Sequence, residues 1–233
     1  MRHSIVASSG SLEVIKWVAL VLMIGDHINK YLFNGTIPAL FELGRLAMPL
    51  FGMVLAFNCA QYGDQVGFYK RLITRLLIAG VVSTPFYIAL GGVQHGWWPL
   101  NIFFTLGVAT AVIYALGVGR PLYLCLAAAI FAVCGALVEF MWPAVFLVVV
   151  TYLFCKKPNL WRFFGVFVAL CSLTWINGNG YALLALPVAA VIVHHTFNLP
   201  RFQWLFYGFY PVHLAVLLLV RIPMEKAGYL FFM

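Results

Sequence analysis

The stretch LEVIKWVALVLMIGDHINKYLF, from Leu12 to Phe33, decides the fold. Its length is that of a bilayer crossing, because a hydrocarbon core about 30 Å thick takes about 20 apolar residues of helix. The apolar core of a secretory leader is shorter and ends in a small-x-small cleavage site. This run is interrupted by Asp26 and His27 and has no such site after it, so it reads as a retained helix.

Runs of the same kind continue along the chain, broken by Gly, Pro, Asn or charge: Gly44 to Ala60, Phe68 to Leu90, Pro99 to Val118, Leu122 to Val138, Pro143 to Cys155, Phe163 to Ile176, Tyr181 to His195 and Phe202 to Ile222. The expected fold is all-α: a polytopic membrane helix bundle of about nine transmembrane helices, forming a single membrane-embedded domain over residues 1–233. Composition agrees. The chain is 64% hydrophobic and 9% charged, whereas soluble domains average about 45–50% apolar and about 25% charged.

Basic residues give the orientation, since positive loops stay in the cytoplasm. With the N-terminus inside, Arg2, Lys16, Lys70, Arg71, Arg75, Arg120, Lys156, Lys157, Arg162 and Arg201 fall on the inner side, and only Lys30, Arg45, Arg221 and Lys226 on the outer. The net charge of +8 is thus largely a topology signal. No nucleic-acid partner is expected, because such binding needs a basic face on a soluble fold. Five scattered cysteines without a CxxC pair read as small buried hydrophobes, and no metal is expected. Asn34-Gly35-Thr36 fits a glycosylation sequon but reads as a turn.

Ionisable residues at membrane depth need a partner, a water cavity or a task. Asp26 and His27 lie in the outer third of the first helix and point about 100° apart, so they address different neighbours. His27 continues the stripe Lys16, Leu20, Met23 and Tyr31; Asp26 lies with Ala19, Leu22, and Asn29 or Lys30. Arg45, near the outer start of the second span, stands at the depth of Asp26, and a charge-assisted pair is expected. Asn101 and Thr105, four apart at the head of the fourth span, bring an amide and a hydroxyl to the same level; helix-to-helix hydrogen bonding is their structural alternative. In the last span Pro211 interrupts the backbone ladder close to Tyr210 and His213, a second buried imidazole. His3 is terminal, His95 lies in an outer loop, and His194 and His195 point apart. Arg71 and Arg75, an i, i+4 pair beside Lys70 at the inner face, suit a phosphate or serve topology and lipid headgroups; Lys156, Lys157 and Arg162 have the same two readings.

These residues carry a resemblance. Lys16 to Lys30, followed by Gly44-Arg45-Leu46-Ala47-Met48-Pro49-Leu50-Phe51, resembles the TraX family of F-type conjugative pilus proteins; Asn101 to Thr105 and Tyr210-Pro211-Val212-His213-Leu214 support it. The middle of the chain, from Leu106 to Pro200, matches only as generic hydrophobic helix. Met48 stands where the family often has an aromatic before the Pro, and no long charged N-terminal extension is expected.

The resemblance implies a bacterial inner-membrane, multi-pass acyltransferase that takes acetyl from acetyl-CoA (acetyl-coenzyme A) to the N-terminal amine of processed pilin, with kinship to membrane acyltransferases of sugars. On that reading His27 is the general base, and Asp26, fixed by Arg45, completes the catalytic set. Asn101, Thr105, Tyr210 and His213 contact the substrate, and Lys70, Arg71 and Arg75 hold the cofactor nucleotide. Because acetyl-CoA is cytoplasmic and the polar cluster lies outward, the pantetheine arm is expected to thread between helices; relay of the acetyl group is the alternative. Three rivals stay open: an O-acetyltransferase of envelope sugar or lipid, a proton-coupled transporter, and a non-enzymatic pilus assembly factor.

Overall fold

The structure, a computed structural model, describes residues 7–231, so Arg2 and His3 lie outside the described residues. Every apolar run becomes helix: α1 (Ser9–Leu32), α2 (Pro38–Gly44), α3 (Ala47–Tyr62), α4 (Phe68–Ala89), α5 (Ile102–Val118), α6 (Pro121–Gly135), α7 (Met141–Lys156), α8 (Leu160–Asn177), a short 3-10 turn (Tyr181–Leu184) leading into α9 (Ala185–His194), and α10 (Gln203–Lys226). The described residues contain no β-strand, only the isolated bridges His95–Trp98 and Leu100–Val138.

Local chemistry sets the ends. Ser8 caps α1 by accepting from the Ser11 N–H, Asn101 caps α5 through Phe103, and Asn159 caps α8 through Arg162. Pro38 and Pro121 stand where a first helical turn tolerates proline. Pro38 also begins a helix earlier than the apolar run suggests: the second run starts as α2, breaks at Arg45 and Leu46, and resumes as α3. Asn34 and Gly35 turn the chain with positive φ, as the turn reading requires.

α3 and α7 form the centre. α3 packs on α7 and α1, α7 on α8 and α5, and α5 on α4 and α6, while α10 closes against α4 and α1. Leu50, Leu147, Leu170 and Leu173 are fully buried in one core; Ile113, Val145 and Val148 fill a second. Among the described residues four helical stretches are long and apolar enough to cross a membrane: Pro38–Tyr62, Phe68–Ala89, Leu160–Asn177 and Trp204–Lys226. α1 is outside that group, because it carries Glu13, Lys16, Asp26 and Lys30. Large side chains such as Trp161, Trp175, Leu122 and Leu219 face outward, the surface expected of a membrane protein. Cys59 and Cys155 are buried and all five cysteines are free, but Cys125 is exposed, correcting its reading as buried.

Candidate functional site: a charged cavity along the first helix

α1 forms one wall of a cavity of about 760 Å³. Ser9 and Lys30 both line it, so at about 1.5 Å per residue it follows the helix for about 32 Å. Three of the six acidic residues and six of the fourteen basic ones face it, a concentration that lipid-facing burial does not explain.

The two ends differ in charge. At the Lys16 end stand Glu13, Lys16, Arg71, Arg75 and Arg201, with a net positive balance. Lys16 pairs with Glu13 and lies over the Phe206 ring, 4.3 Å from its centroid. Arg75 lies 4.5 Å over Trp204, and Arg201 bonds the Tyr62 hydroxyl at 2.8 Å. Arg71 donates to the Val66 carbonyl at 3.2 Å. Lys70 is exposed and does not line the cavity, so its expected place beside Arg71 and Arg75 is corrected: on α4 it projects away from them.

At the other end, Asp26 and Arg45 meet at 2.5 Å, the pair their common depth predicts. Asn29 makes that meeting possible. Its amide donates to the Ile37 carbonyl at 3.0 Å and accepts from the Ile37 N–H at 2.9 Å, clasping the chain ahead of α2 onto α1. Gly44 lets Asp26 approach, since a Cβ there would lie 2.4–2.6 Å from its side-chain atoms. Arg45→Gln, which leaves a largely buried carboxylate without its cation, is expected to cost on the order of 3 kcal/mol, and Gly44→Ala to displace the same pair. Thermal unfolding of the detergent-solubilised protein checks this; unchanged midpoints in both variants would show that the pair holds nothing.

His27 turns to other neighbours, as the 100° offset requires. Its ring stacks on His213 at 5.4 Å between centroids, with Tyr210 at 5.8 Å and Tyr31 at 5.5 Å. The His27 Nδ1 and the His213 Nε2 are buried with no hydrogen-bond partner. His213 therefore takes no carbonyl freed by Pro211 through that nitrogen. Tyr210 lines the cavity directly, while His213 stands behind His27.

Asn101 and Thr105 are corrected. The Asn101 amide donates to the Gly80 carbonyl at 2.9 Å and to Thr84 Oγ1 at 3.2 Å, and its oxygen caps α5. Thr105 donates to the Glu139 carbonyl at 2.8 Å. Both are buried outside the cavity lining, with their side-chain hydrogen bonds spent on neighbouring segments of the chain.

Sequence reasoning passed over Glu139. It lies between α6 and α7 yet faces the cavity near Asp26, Lys30 and Arg45. Burial pushes its carboxyl above the usual range, against the pull of Lys30 and Arg45. The available signal was a single acid enclosed by two apolar runs. Glu13, buried beside Lys16, was missed in the same way.

The family model described as TraX protein matches residues 11–221. The chain belongs to the TraX family. It is similar to Protein TraX of Escherichia coli, 34% identical over 113 residues, a stretch that is 48% of this chain and 43% of that relative. Against Protein TraX of Escherichia coli strain K12 it is 33% identical over 113 residues, with the same coverage. The match thus spans less than half the length of these curated relatives. No solved structure matches this TraX-family chain. The family match includes every residue that builds the Asp26 end, from α1 through Tyr210 and His213.

Proposed function

We propose that this chain is an inner-membrane acetyltransferase that moves acetyl from acetyl-CoA to the N-terminal amine of processed conjugative pilin. We place it in the bilayer with nine spans and its N-terminus inside, which puts the Lys16 end of the cavity at the cytoplasmic face. The observation that carries the reading is the single cavity joining a basic end to a buried imidazole cluster. A nucleotide bearing phosphates suits Arg71, Arg75 and Arg201, since guanidinium matches phosphate in charge and geometry. The pantetheine arm would then run along α1, bringing the thioester to His27. This favours threading over relay.

Acetyl transfer requires a neutral amine and a stabilised oxyanion, held in line. The amine nitrogen attacks the thioester carbon, the carbon–sulfur bond breaks, and coenzyme A leaves as the thiol after taking a proton. His27 is the base for the proton lost from nitrogen, its Nδ1 having no competing partner. The Asp26–Arg45 pair fixes the helix around it. With Asn101 and Thr105 committed elsewhere, the donor to the oxyanion falls to Lys30, which lines the cavity and forms no ion pair among the described residues.

A second reading draws on the same cavity: a passage of bilayer length lined by ionisable groups also suits a proton-coupled transporter. One experiment separates them. Purified protein incubated with acetyl-CoA and a synthetic pilin amino-terminal peptide is expected to give a peptide heavier by one acetyl group. Unmodified peptide, with acetyl instead on envelope glycan or lipid, would redirect the reading to O-acetylation; no coenzyme-A-dependent product at all would overturn it in favour of transport or assembly.

A further inference from the structure

The three acids of the cavity are not alike. Glu13 is held by Lys16 and Asp26 by Arg45, whereas Glu139 has no cation within 4 Å among the described residues. Its position is nonetheless firmly set. The Glu139 N–H donates to the Leu100 carbonyl at 2.8 Å, the Leu100 N–H to Leu137 at 2.9 Å, and Thr105 to the Glu139 carbonyl. The next two residues, Phe140 and Met141, have φ of 60° and 44°, a conformation that bulky side chains rarely adopt and that persists only where surrounding contacts impose it. The strained, bolted segment presents a carboxylate to a cavity that His27 also lines. Tyr210 lines the same end, and the phenols of Tyr31, Tyr87 and Tyr210 lie within electrostatic reach of Glu139.

A half-buried carboxylate without a cation is costly unless a ligand supplies one, and aromatic faces add to the attraction of an ammonium. We propose that Glu139 is the anchor for a primary ammonium group of the acceptor, holding it beside His27 with Tyr210 as part of the wall. This rests on the acetyltransferase reading for the reaction that follows, but the binding itself does not. The ammonium arrives charged, Glu139 receives it as an ion pair, one N–H proton passes to the carboxylate to leave the neutral amine that attacks, and the second N–H proton, lost after attack, is the one that His27 takes. Lys30 lies over the Tyr31 ring, 5.0 Å from its centroid, and forms no ion pair with Glu139.

The test uses the purified full chain in detergent without acetyl-CoA. It is titrated with a short apolar peptide bearing a free amino terminus and with the same peptide in which hydrogen replaces the amino group. The wild type is expected to favour the amine form by tenfold or more, the scale of a charge-assisted hydrogen bond. Glu139→Gln should reduce that preference to about twofold or less while leaving the des-amino affinity unchanged, and Glu139→Asp should keep a weakened preference if the Gln variant fails to fold. Equal binding of both peptides by the wild type, or loss of both alike in Glu139→Gln, as for a mere counter-charge to Lys30 and Arg45, overturns the proposal. Because no acetyl donor is present, failure here leaves the acetyltransferase reading standing, and failure to acetylate leaves the amine site standing.

Discussion

His27→Ala is expected to abolish acetyl transfer while the chain still inserts and folds. A positioned base contributes typically 10²–10⁴-fold, so the variant should fall by at least about 10²-fold in turnover with little change in its affinity for acetyl-CoA. The ring it removes stacks on His213 and meets Tyr210 edge-on but makes no hydrogen bond through Nδ1, so its loss does not leave a broken network. Mass measurement of the acceptor peptide, beside a coenzyme A binding measurement on the same preparation, separates the chemical step from binding. Normal acetylation by this variant would sink the mechanism and favour a non-enzymatic assembly role.

The second large effect is at the opposite end of the cavity. Arg71→Gln combined with Arg75→Gln is expected to weaken acetyl-CoA binding by on the order of 10²-fold, since each charged hydrogen bond to phosphate contributes about 1.5–3 kcal/mol. Wild-type binding should also weaken as salt is raised, because Arg71 is exposed and its charge is screened. The double variant should lose most of that salt dependence. Undiminished binding would move the nucleotide elsewhere, with Lys156, Lys157 and Arg162, which surround a separate hollow beside α7, the next place to look.

Much of this was legible from the residues, for a reason that differs between fold and site. Helix positions follow from apolar run length, which is why each run has its helix and only the ends move: Pro38 starts α2 ahead of the run, and Tyr181–Leu184 tightens into a 3-10 turn before α9. Depth is equally legible, because rise per residue is fixed. It brought Asp26 to Arg45 across 19 positions, whereas the stacking of His27 on His213 emerged only in the structure. Depth does not say which neighbour takes a polar group. Asn101 and Thr105 share the expected face, yet that face meets the Gly80 carbonyl of α4 and the Glu139 carbonyl rather than the cavity. Glu139 was hidden for the complementary reason: it belongs to a connection between helices, where periodicity gives no direction, and its placement comes from hydrogen bonds to Leu100 and Thr105 far earlier in the chain.

The cavity is walled by α1 on one side and by Phe206, Tyr207, Phe209 and Tyr210 of α10 on the other. These are the first and last described helices, so during synthesis the cavity lacks one wall until α10 has been made. Through that interval α1, too charged to count among the readily inserting helices, has only nearby company: Lys16 for Glu13 within its own turn, and Arg45 for Asp26 as soon as the next short helix emerges. Its charges are neutralised early by residues made at almost the same moment, while the imidazole His27 waits longest for His213. The cavity is thus complete only once α10 is in place, and a form of the chain cut before α10 is expected to lack that wall.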